Sequence, residues 1–398
     1  MLIGVVGKPS VGKSTFFKAA TLADAEIANY PFTTIKPNRG IGFVKIECVD
    51  AFFNKQCKPR EGYCIEHKRF VPFEMLDVAG LVPGAHQGLG RGNAFLSDLN
   101  EADALIHVVD ISGSVNEKGE AVEALSYDPI QDIRFLEVEL DMWYYGILKK
   151  GWEKFSRTLM QEKKKVPEAL GKQLSGLGVN ELMIEQVMKT LSLSEDLTKW
   201  QEEDLQAISK ELRKKTKPMI IACNKIDVPG ALENFHRLQK EFPEYVLITC
   251  SSESELALRE ACKHGLIDYV PGENKFKVKE GKTLNEQQQQ ALNFIQKNIL
   301  EVYQGTGVQQ VLNTIVLEVL KYIAIYPGGV GKLEDQYGRT LPDCFLMPNQ
   351  STALDFAYRL HTDFGKKFIR AIDVKTKRTV GREHVLQHCD VVEIVSGK

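Results

Sequence analysis

An α/β architecture is what this sequence predicts: a mainly parallel sheet, interrupted by a helical insertion and followed by a small C-terminal α+β unit. Three observations carry that reading. Short apolar runs rich in β-branched residues recur along the chain, helical spacing lies between them, and a long Lys-, Glu- and Leu-rich stretch separates the runs ending at Val109 and starting at Pro218. Apolar strands without polar alternation are covered on both faces, as in a parallel sheet. The 398 residues leave room for more than one small module, about two to three domains. A composition of 43% hydrophobic and 26% charged residues is that of a soluble globular protein. The net charge of -2 excludes a protein that coats nucleic acid with a basic surface, so any such contact needs a local patch. Eight cysteines are scattered without a C-x-x-C, which argues against a zinc cage and against a secreted disulfide framework, and they are read as reduced thiols. The apolar run at Met1 to Gly7 is too short for a signal peptide and no later run is long enough to span a membrane, so a cytoplasmic protein is expected.

Leu2 to Val6 is a β-rich run, and from Lys13 onward Phe16, Phe17 and Ala20 recur at helical spacing, so the chain opens strand, loop, helix. Further strands are expected at 42–44, 71–76, 104–109, 218–222 and 245–249. Within the insertion, Ile133, Leu136, Leu140, Trp143 and Ile147 keep helical spacing that runs on through Trp152, Phe155 and Leu159 and returns at Val187, Leu191, Leu205, Ile208 and Leu212. Lys149 to Lys165 carries seven basic residues against two glutamates, which a solvated helix face accounts for. A polar segment with Gln287 to Gln290 leads to an apolar helix near Val308 to Leu320. From Tyr322 the pattern reads strand (322–326), turn at Tyr337-Gly-Arg, strand (344–347), a helix opened by Ser351, strand (368–372) and strand (391–395), with Phe364 and Phe368 expected in its core. The domain boundaries that follow are 1–115 and 216–275 for the two parts of the α/β domain, 116–215 for the insertion, 276–320 for a linker with a helix and 321–398 for the C-terminal unit.

Gly7-Lys8-Pro9-Ser10-Val11-Gly12-Lys13-Ser14 matches G-x-x-x-x-G-K-S, placed just after a buried strand and at the mouth of a helix. Glycines there let backbone N–H groups close around phosphates, with the helix N-terminus adding positive charge. Lys13 reaches the β- and γ-phosphates and the Ser14 hydroxyl can ligate Mg²⁺, with Thr15 completing the contact set. Asp77-Val-Ala-Gly80 follows the strand ending at Leu76, so Asp77 can hold Mg²⁺ and the Gly80 amide can touch the γ-phosphate. Asn224-Lys225-Ile226-Asp227 follows another strand. Asn224 can tie that loop to the phosphate loop, the Lys225 stem can cover a base face, and the Asp227 carboxylate can accept from the N1–H and exocyclic amine of guanine, a donor pair that adenine lacks. Ser251 and Ser252 would close the base pocket, although Ser-Ser-Glu alone reads as a helix cap.

In this order the motifs resemble those of P-loop GTPases, and the residues between them resemble the Obg family. Asn29-Tyr-Pro-Phe-Thr-Thr34 is similar to that family's first switch, and Asp77 to Phe95, with its run of glycines, to its second. A helical insert followed by a C-terminal unit like a TGS domain resembles the YchF-like subgroup across nearly the whole chain, and implies a ubiquitin-like β-grasp at the C-terminus. The resemblance implies GTP and GDP as ligands, Mg²⁺ as cofactor, Thr34 (with Thr33 as fallback) as the switch ligand of the metal, and a GTP-hydrolysing molecular switch. Two positions depart from the pattern. Many YchF-like members have lost Asn-Lys-x-Asp and prefer ATP, whereas Asp227 here points back to guanine; and Ser10 stands where many relatives have an asparagine that helps to hold a potassium ion.

Leu81 occupies the position where Ras-like enzymes keep a water-orienting glutamine, so intrinsic hydrolysis is expected to be slow. His86 and Gln87 stand among Gly84, Gly88, Gly90 and Gly92, and either can swing toward the attacking water or stay solvated; Arg91 is a further candidate as a finger in cis. Lys366 to Arg382 holds seven basic residues against Asp373 alone, a local +6; the run spans a strand and the loop after it, so several of these side chains can share one exposed face, read as a surface for RNA or the ribosome. The rival readings are a nucleotide-gated RNA- or ribosome-binding module with incidental hydrolysis, and an ATPase. A monomer without membrane attachment is expected.

Overall fold

The apolar runs become strands. The computed structural model describes residues 1–22, 38–78, 98–162 and 164–397. Its strands, in chain order, are β1 (Leu2–Val6), β2 (Arg39–Glu47), β3 (Tyr63–Ile65), β4 (Lys68–Asp77), β5 (Ala104–Asp110), β6 (Met219–Asn224), β7 (Val246–Thr249), β8 (Ile267–Tyr269), β9 (Phe276–Val278), β10 (Tyr322–Pro327), β11 (Phe345–Pro348), β12 (Phe368–Asp373), β13 (Arg378–Val380) and β14 (Asp390–Ser396). They fall into two compact units, Met1–Phe17 with Met75–Ser254 and Lys18–Glu74 with Glu255–Lys398, and β4 runs through both. The segment 18–74, which the sequence motifs group with the nucleotide-binding part, thus clusters with C-terminal residues.

In the first unit the end of β4 lies beside β1, and β1, β5, β6 and β7 follow in that order, paired in parallel. Every residue of β1, β5 and β6 is buried, as a sheet covered on both faces requires. Helix Ile130–Lys149 contributes Leu136 and Leu140 to one apolar cluster with Leu2, Val6, Leu105 and Met219. The insertion builds a core of its own from Leu148, Leu159, Ile184, Val187, Leu205, Ile208 and Leu212, with Trp152 and Trp200 stacked at 5.4 Å. The helical spacing that continues from Ile147 to Leu159 is broken in the backbone: Lys150 leaves the helical region with ψ 106°, and a second helix, Trp152–Glu162, starts after Gly151.

His107 sits in the middle of β5, opposite Val6 and Ile221. Burial first, and the Lys8 cation after it, lower its imidazole pKa to about 3, and its Nδ1 has no hydrogen-bond partner. An unfolded chain takes up this proton near pH 6.5, whereas the folded one resists it until about 3, so stability is lost progressively as pH falls through that window. His107→Leu is therefore expected to move the midpoint of acid unfolding to lower pH, measured by circular dichroism; an unchanged midpoint would assign acid lability to other groups.

In the second unit β2 and β3 both pair with β4, β3 antiparallel to it. β2 ends the sheet, and side-chain amides cover its edge: Gln309 Nε2 donates to Phe43 O (2.7 Å), while Asn313 accepts from Lys45 N (2.9 Å) and donates to Lys45 O (3.1 Å). The helix carrying these amides is α-helical over Val308–Asn313 and widens into a π-helix over Thr314–Val319. An antiparallel β8–β9 hairpin was not signalled by the sequence pattern.

The C-terminal sheet has the order β11-β10-β14-β12-β13, with β10 and β14 parallel at its middle and helix Ala353–Leu360 against one face through Ala353 and Phe356. This is a β-grasp. Thr352, not Ser351, opens that helix. Thr352 Oγ1 accepts from Asp355 N at 3.2 Å and Asp355 Oδ2 accepts from Thr352 N at 2.8 Å, a capping box, while the Ser351 hydroxyl donates back to Pro348 O. Phe368 packs against the core, but Phe364 is 42% exposed, because the short helix Thr362–Lys366 buries only Gly365.

The cysteines are less scattered in space than along the chain. Cys48, Cys57 and Cys64 converge with Asp50, so spacing without a C-x-x-C is no argument against a metal site here: a turn after β2 and the β3–β4 hairpin do the gathering. Among the described residues, no helix is long and apolar enough to cross a membrane.

Candidate nucleotide-binding site

The loop after β1 is shaped by what its glycines permit. Gly12 adopts φ 90°, and a Cβ there would lie 2.3 Å from Asn224 Nδ2; a Cβ on Gly7 would lie 2.6 Å from the Val108 carbonyl oxygen. Any side chain would fill the space that a closely wrapped backbone needs. Helix Lys13–Thr21 starts directly, with Phe16 N donating to Gly12 O at 2.8 Å, so the amides of its first turn open onto the loop. Ser14 is exposed at that mouth. Ser10 holds a left-handed φ of 67°, which asparagine adopts at lower cost, and its hydroxyl donates to Gly119 O at 2.9 Å.

Because β4, β5 and β6 run into the same edge, their last residues meet around this loop. Asp77, ending β4, pairs with the Lys13 ammonium. Asn224, ending β6, donates through Nδ2 to Val11 O (2.8 Å) and accepts through Oδ1 from both the backbone N–H (3.0 Å) and the hydroxyl (2.8 Å) of Ser252. One buried amide thereby ties the phosphate loop to the loop after β7. Asp227 is half-buried, and its carboxylate accepts from the Ser251 hydroxyl at 2.8 Å. Lys225 sits in a left-handed turn, φ 64°, which aims its side chain back at the strand ends.

Sequence reasoning missed what Lys225 and Lys8 reach. The Lys225 ammonium bonds Asp110 Oδ2 at 2.9 Å and Ser114 Oγ at 3.1 Å, and the fully buried Asp110 also accepts from Ser112 N–H and the hydroxyls of Ser112 and Ser114. Asp110 ends β5 as Asp77 ends β4, so the strand-end pattern was the available signal. The Lys8 side chain turns away from the phosphate loop's mouth, to Asp132 at 2.9 Å and Val115 O at 2.8 Å, over the Tyr127 ring. Burial raises the pKa of Asp132, with Lys8 and the Tyr127 hydroxyl opposing. Lys8 therefore has only its backbone to offer a phosphate, and no local motif announces its distant partner. Pro9 packs under Gly119 of the same segment.

Thr33, Thr34, Gly80, Leu81, His86, Gln87 and Arg91 lie outside the described residues. Those inside them fit a magnesium nucleotide: glycines at the close approaches, a lysine, and hard oxygen donors at Ser14 and Asp77.

Comparison with known proteins shows what the chain is similar to. Residues 2–137 match the model of the 50S ribosome-binding GTPase family, 222–329 that of the Obg-like GTPase YGR210-like, G4 motif-containing domain, and 336–396 that of the TGS domain. The chain is 48% identical over 396 residues to an uncharacterized GTP-binding protein of Methanocaldococcus jannaschii, covering 99% of each. It is 33% identical over 267 residues to the ribosome-binding ATPase YchF of Bacillus subtilis, covering 64% of this chain and 66% of that one. A crystal structure of a GTP-binding protein from Pyrococcus horikoshii OT3 superposes with a TM-score of 0.78 at 39% identity, covering 100% of both chains.

Proposed function

The chain belongs to the YchF/Obg-like family of GTP-binding proteins, and from that premise we propose that it is a molecular switch that hydrolyses GTP to GDP and phosphate and acts on the ribosome or another RNA. The convergence of the phosphate loop, Asp77 and the Asn224–Ser252 pair at one sheet edge supports this reading best. In it, the backbone N–H groups of residues 7–15 other than Pro9 and the Lys13 ammonium hold the β- and γ-phosphates, Asn224 keeps the phosphate loop and base loop in register, and Asp227 accepts from the guanine edge. Ser14, Asp77 and Thr34 would hold Mg²⁺, which supplies charge neutralisation on the phosphate oxygens. Gly80 and Thr34 report the γ-phosphate to the two switches, and His86 is the candidate for orienting water. The segments 116–215 and 321–398 are the parts whose contacts with a partner the switch changes, and the cytoplasm is where such a partner is met.

Turnover without a partner is expected to be slow, on the order of 10⁻⁴ to 10⁻² per second, since Leu81 offers no hydrogen bond to water. Single-turnover assays with GTP and with ATP, alone and with ribosomes, test this; turnover above about one per second by the protein alone would contradict it. Stimulation by ribosomes favours the switch. Nucleotide-dependent cosedimentation without stimulation favours a gated RNA-binding module.

In this reading the RNA contact lies at the β12–β13 hairpin. By register Arg370 opposes Val395 and Arg378 opposes Asp373, so these two project to opposite faces of the sheet, and the several bases expected to share one face do not include both. Lys375, Lys377 and Arg378 stand at or beside the turn, the last two exposed and the Lys375 ammonium over the Phe52 ring at 5.8 Å, where Asp373 is engaged by Lys375 N and the Thr376 hydroxyl. Replacing these three by glutamate is expected to weaken ribosome cosedimentation and flatten its salt dependence while GTP affinity holds. Unaltered cosedimentation at moderate salt would reject the surface.

A further inference from the structure

We propose that Cys48, Asp50, Cys57 and Cys64 form a structural zinc site, separate from the nucleotide chemistry. One ligand atom from each lies within 4.8 Å of all the others, and three of the four residues are buried. The Sγ atoms of Cys48 and Cys57 are 3.4 Å apart, and Cys64 Sγ is 4.0 Å from Asp50 Oδ2. Around a tetrahedral zinc with bonds of about 2.3 Å to sulfur and 2.0 Å to oxygen, neighbouring donors sit about 3.5–3.8 Å apart. The observed spacings straddle that range. A disulfide needs sulfurs at about 2.05 Å, and three thiols cannot all be paired.

The backbone holds each donor in place. Cys48 follows β2 and donates its N–H to His67 O at 2.8 Å; Asp50 opens a turn in which Lys55 N donates to its carbonyl at 3.0 Å; Cys57 N donates to Asp50 Oδ2 at 2.8 Å. Cys64 is on β3, opposite Arg69 of β4. Glu66 and His67, at φ 49° and 60°, form the tight two-residue turn between those strands. That turn lays the His67 ring on Asp50, Nδ1 to Oδ1 at 2.9 Å, an outer partner of the kind that orients a ligating carboxylate.

The donor set chooses the metal. Thiolates select zinc over magnesium or calcium, and four protein donors leave no open position for catalysis. Three thiolates and a carboxylate would bring four negative charges into a buried site. A divalent ion offsets two of them, and Arg69, 1% exposed with Nη1 3.7 Å from Cys57 Sγ, offsets a third. Arg69 is itself fixed by the carbonyls of Leu341 and Pro342, each at 3.0 Å. The ion would fasten the turn after β2 to the β3–β4 hairpin, beside the apolar cluster of Phe43, Tyr63 and Phe70.

The test uses the full chain, expressed with added zinc, purified without a histidine tag and passed through gel filtration before elemental analysis. One zinc per chain is expected, falling to background in Cys57→Ala and Cys64→Ser and retained in Cys262→Ser. A zinc chelator should lower the melting temperature of the unaltered protein. Should the variants fail to fold, thiol mapping decides: zinc should shield Cys48, Cys57 and Cys64 of the native protein from alkylation, and chelation should expose them. Absence of stoichiometric zinc, zinc content indifferent to both substitutions, alkylation indifferent to chelation, or a Cys48–Cys57 disulfide in the freshly purified protein would each overturn the proposal.

Discussion

Lys13→Ala is expected to weaken binding of both GTP and GDP by about a hundredfold, because a charge-assisted hydrogen bond to a phosphate contributes about 1.5–3 kcal/mol. The structure adds a second cost. The Lys13 ammonium pairs with Asp77, so its removal leaves that carboxylate uncompensated beside the loop that must receive phosphates. Ser14→Ala should differ in kind. It leaves the cation and the loop amides in place, so affinity without magnesium should be nearly kept, while the gain on adding Mg²⁺ should vanish. Titration of a fluorescent guanine nucleotide with and without Mg²⁺ reads both effects, with circular dichroism to confirm folding. Wild-type affinity in Lys13→Ala would show that the phosphates bind elsewhere.

The contrast between Lys13 and Lys8 shows what a single sequence can disclose. Lys13 was legible because its role is local: a glycine-rich loop between a buried strand and a helix can place its side chain in few ways. Asp77 and Asn224 were legible because parallel strands bring their C-terminal ends to one edge, so position after an apolar run predicts position in space. By the same rule Asp110 could have been found, since it ends β5 within an Asp-Ile-Ser-Gly-Ser run. Lys8 could not. Its partner Asp132 lies far along the chain, and the pair exists only because the segment between β5 and helix Ile130–Lys149 folds back on the phosphate loop. The cysteine cluster escaped for a related reason: its gathering depends on two consecutive left-handed residues, Glu66 and His67, which no propensity singles out. The Thr352 cap is a milder case. Thr-x-x-Asp was written in the sequence, and the neighbouring serine obscured it.

Base choice is where this chain is expected to depart from the ATPase named among its relatives, and Asp227 is the residue on which that expectation rests. GTP is expected to bind at least tenfold more tightly than ATP. A half-buried carboxylate that meets the N1–H and amino group of guanine is fully paired, whereas adenine presents no donor pair and leaves its base-facing acceptors unpaired, a difference of about 1.5–3 kcal/mol or roughly ten- to 150-fold. The pocket is already organised for this. The Ser251 hydroxyl holds one carboxylate oxygen at 2.8 Å and itself meets Ser254 Oγ at 2.8 Å, so Asp227 does not have to be ordered by the ligand. Asp227→Asn keeps the shape and exchanges one acceptor for a donor. The amide then meets the xanthine C2 carbonyl with its N–H and the N1–H with its oxygen, so the variant should lose guanine affinity and gain xanthine affinity by similar factors. Competition of GTP, ATP and XTP against a fluorescent nucleotide measures all three on one scale. Equal displacement by GTP and ATP from the unaltered protein would remove Asp227 from base recognition, and with it the argument for a guanine-specific switch.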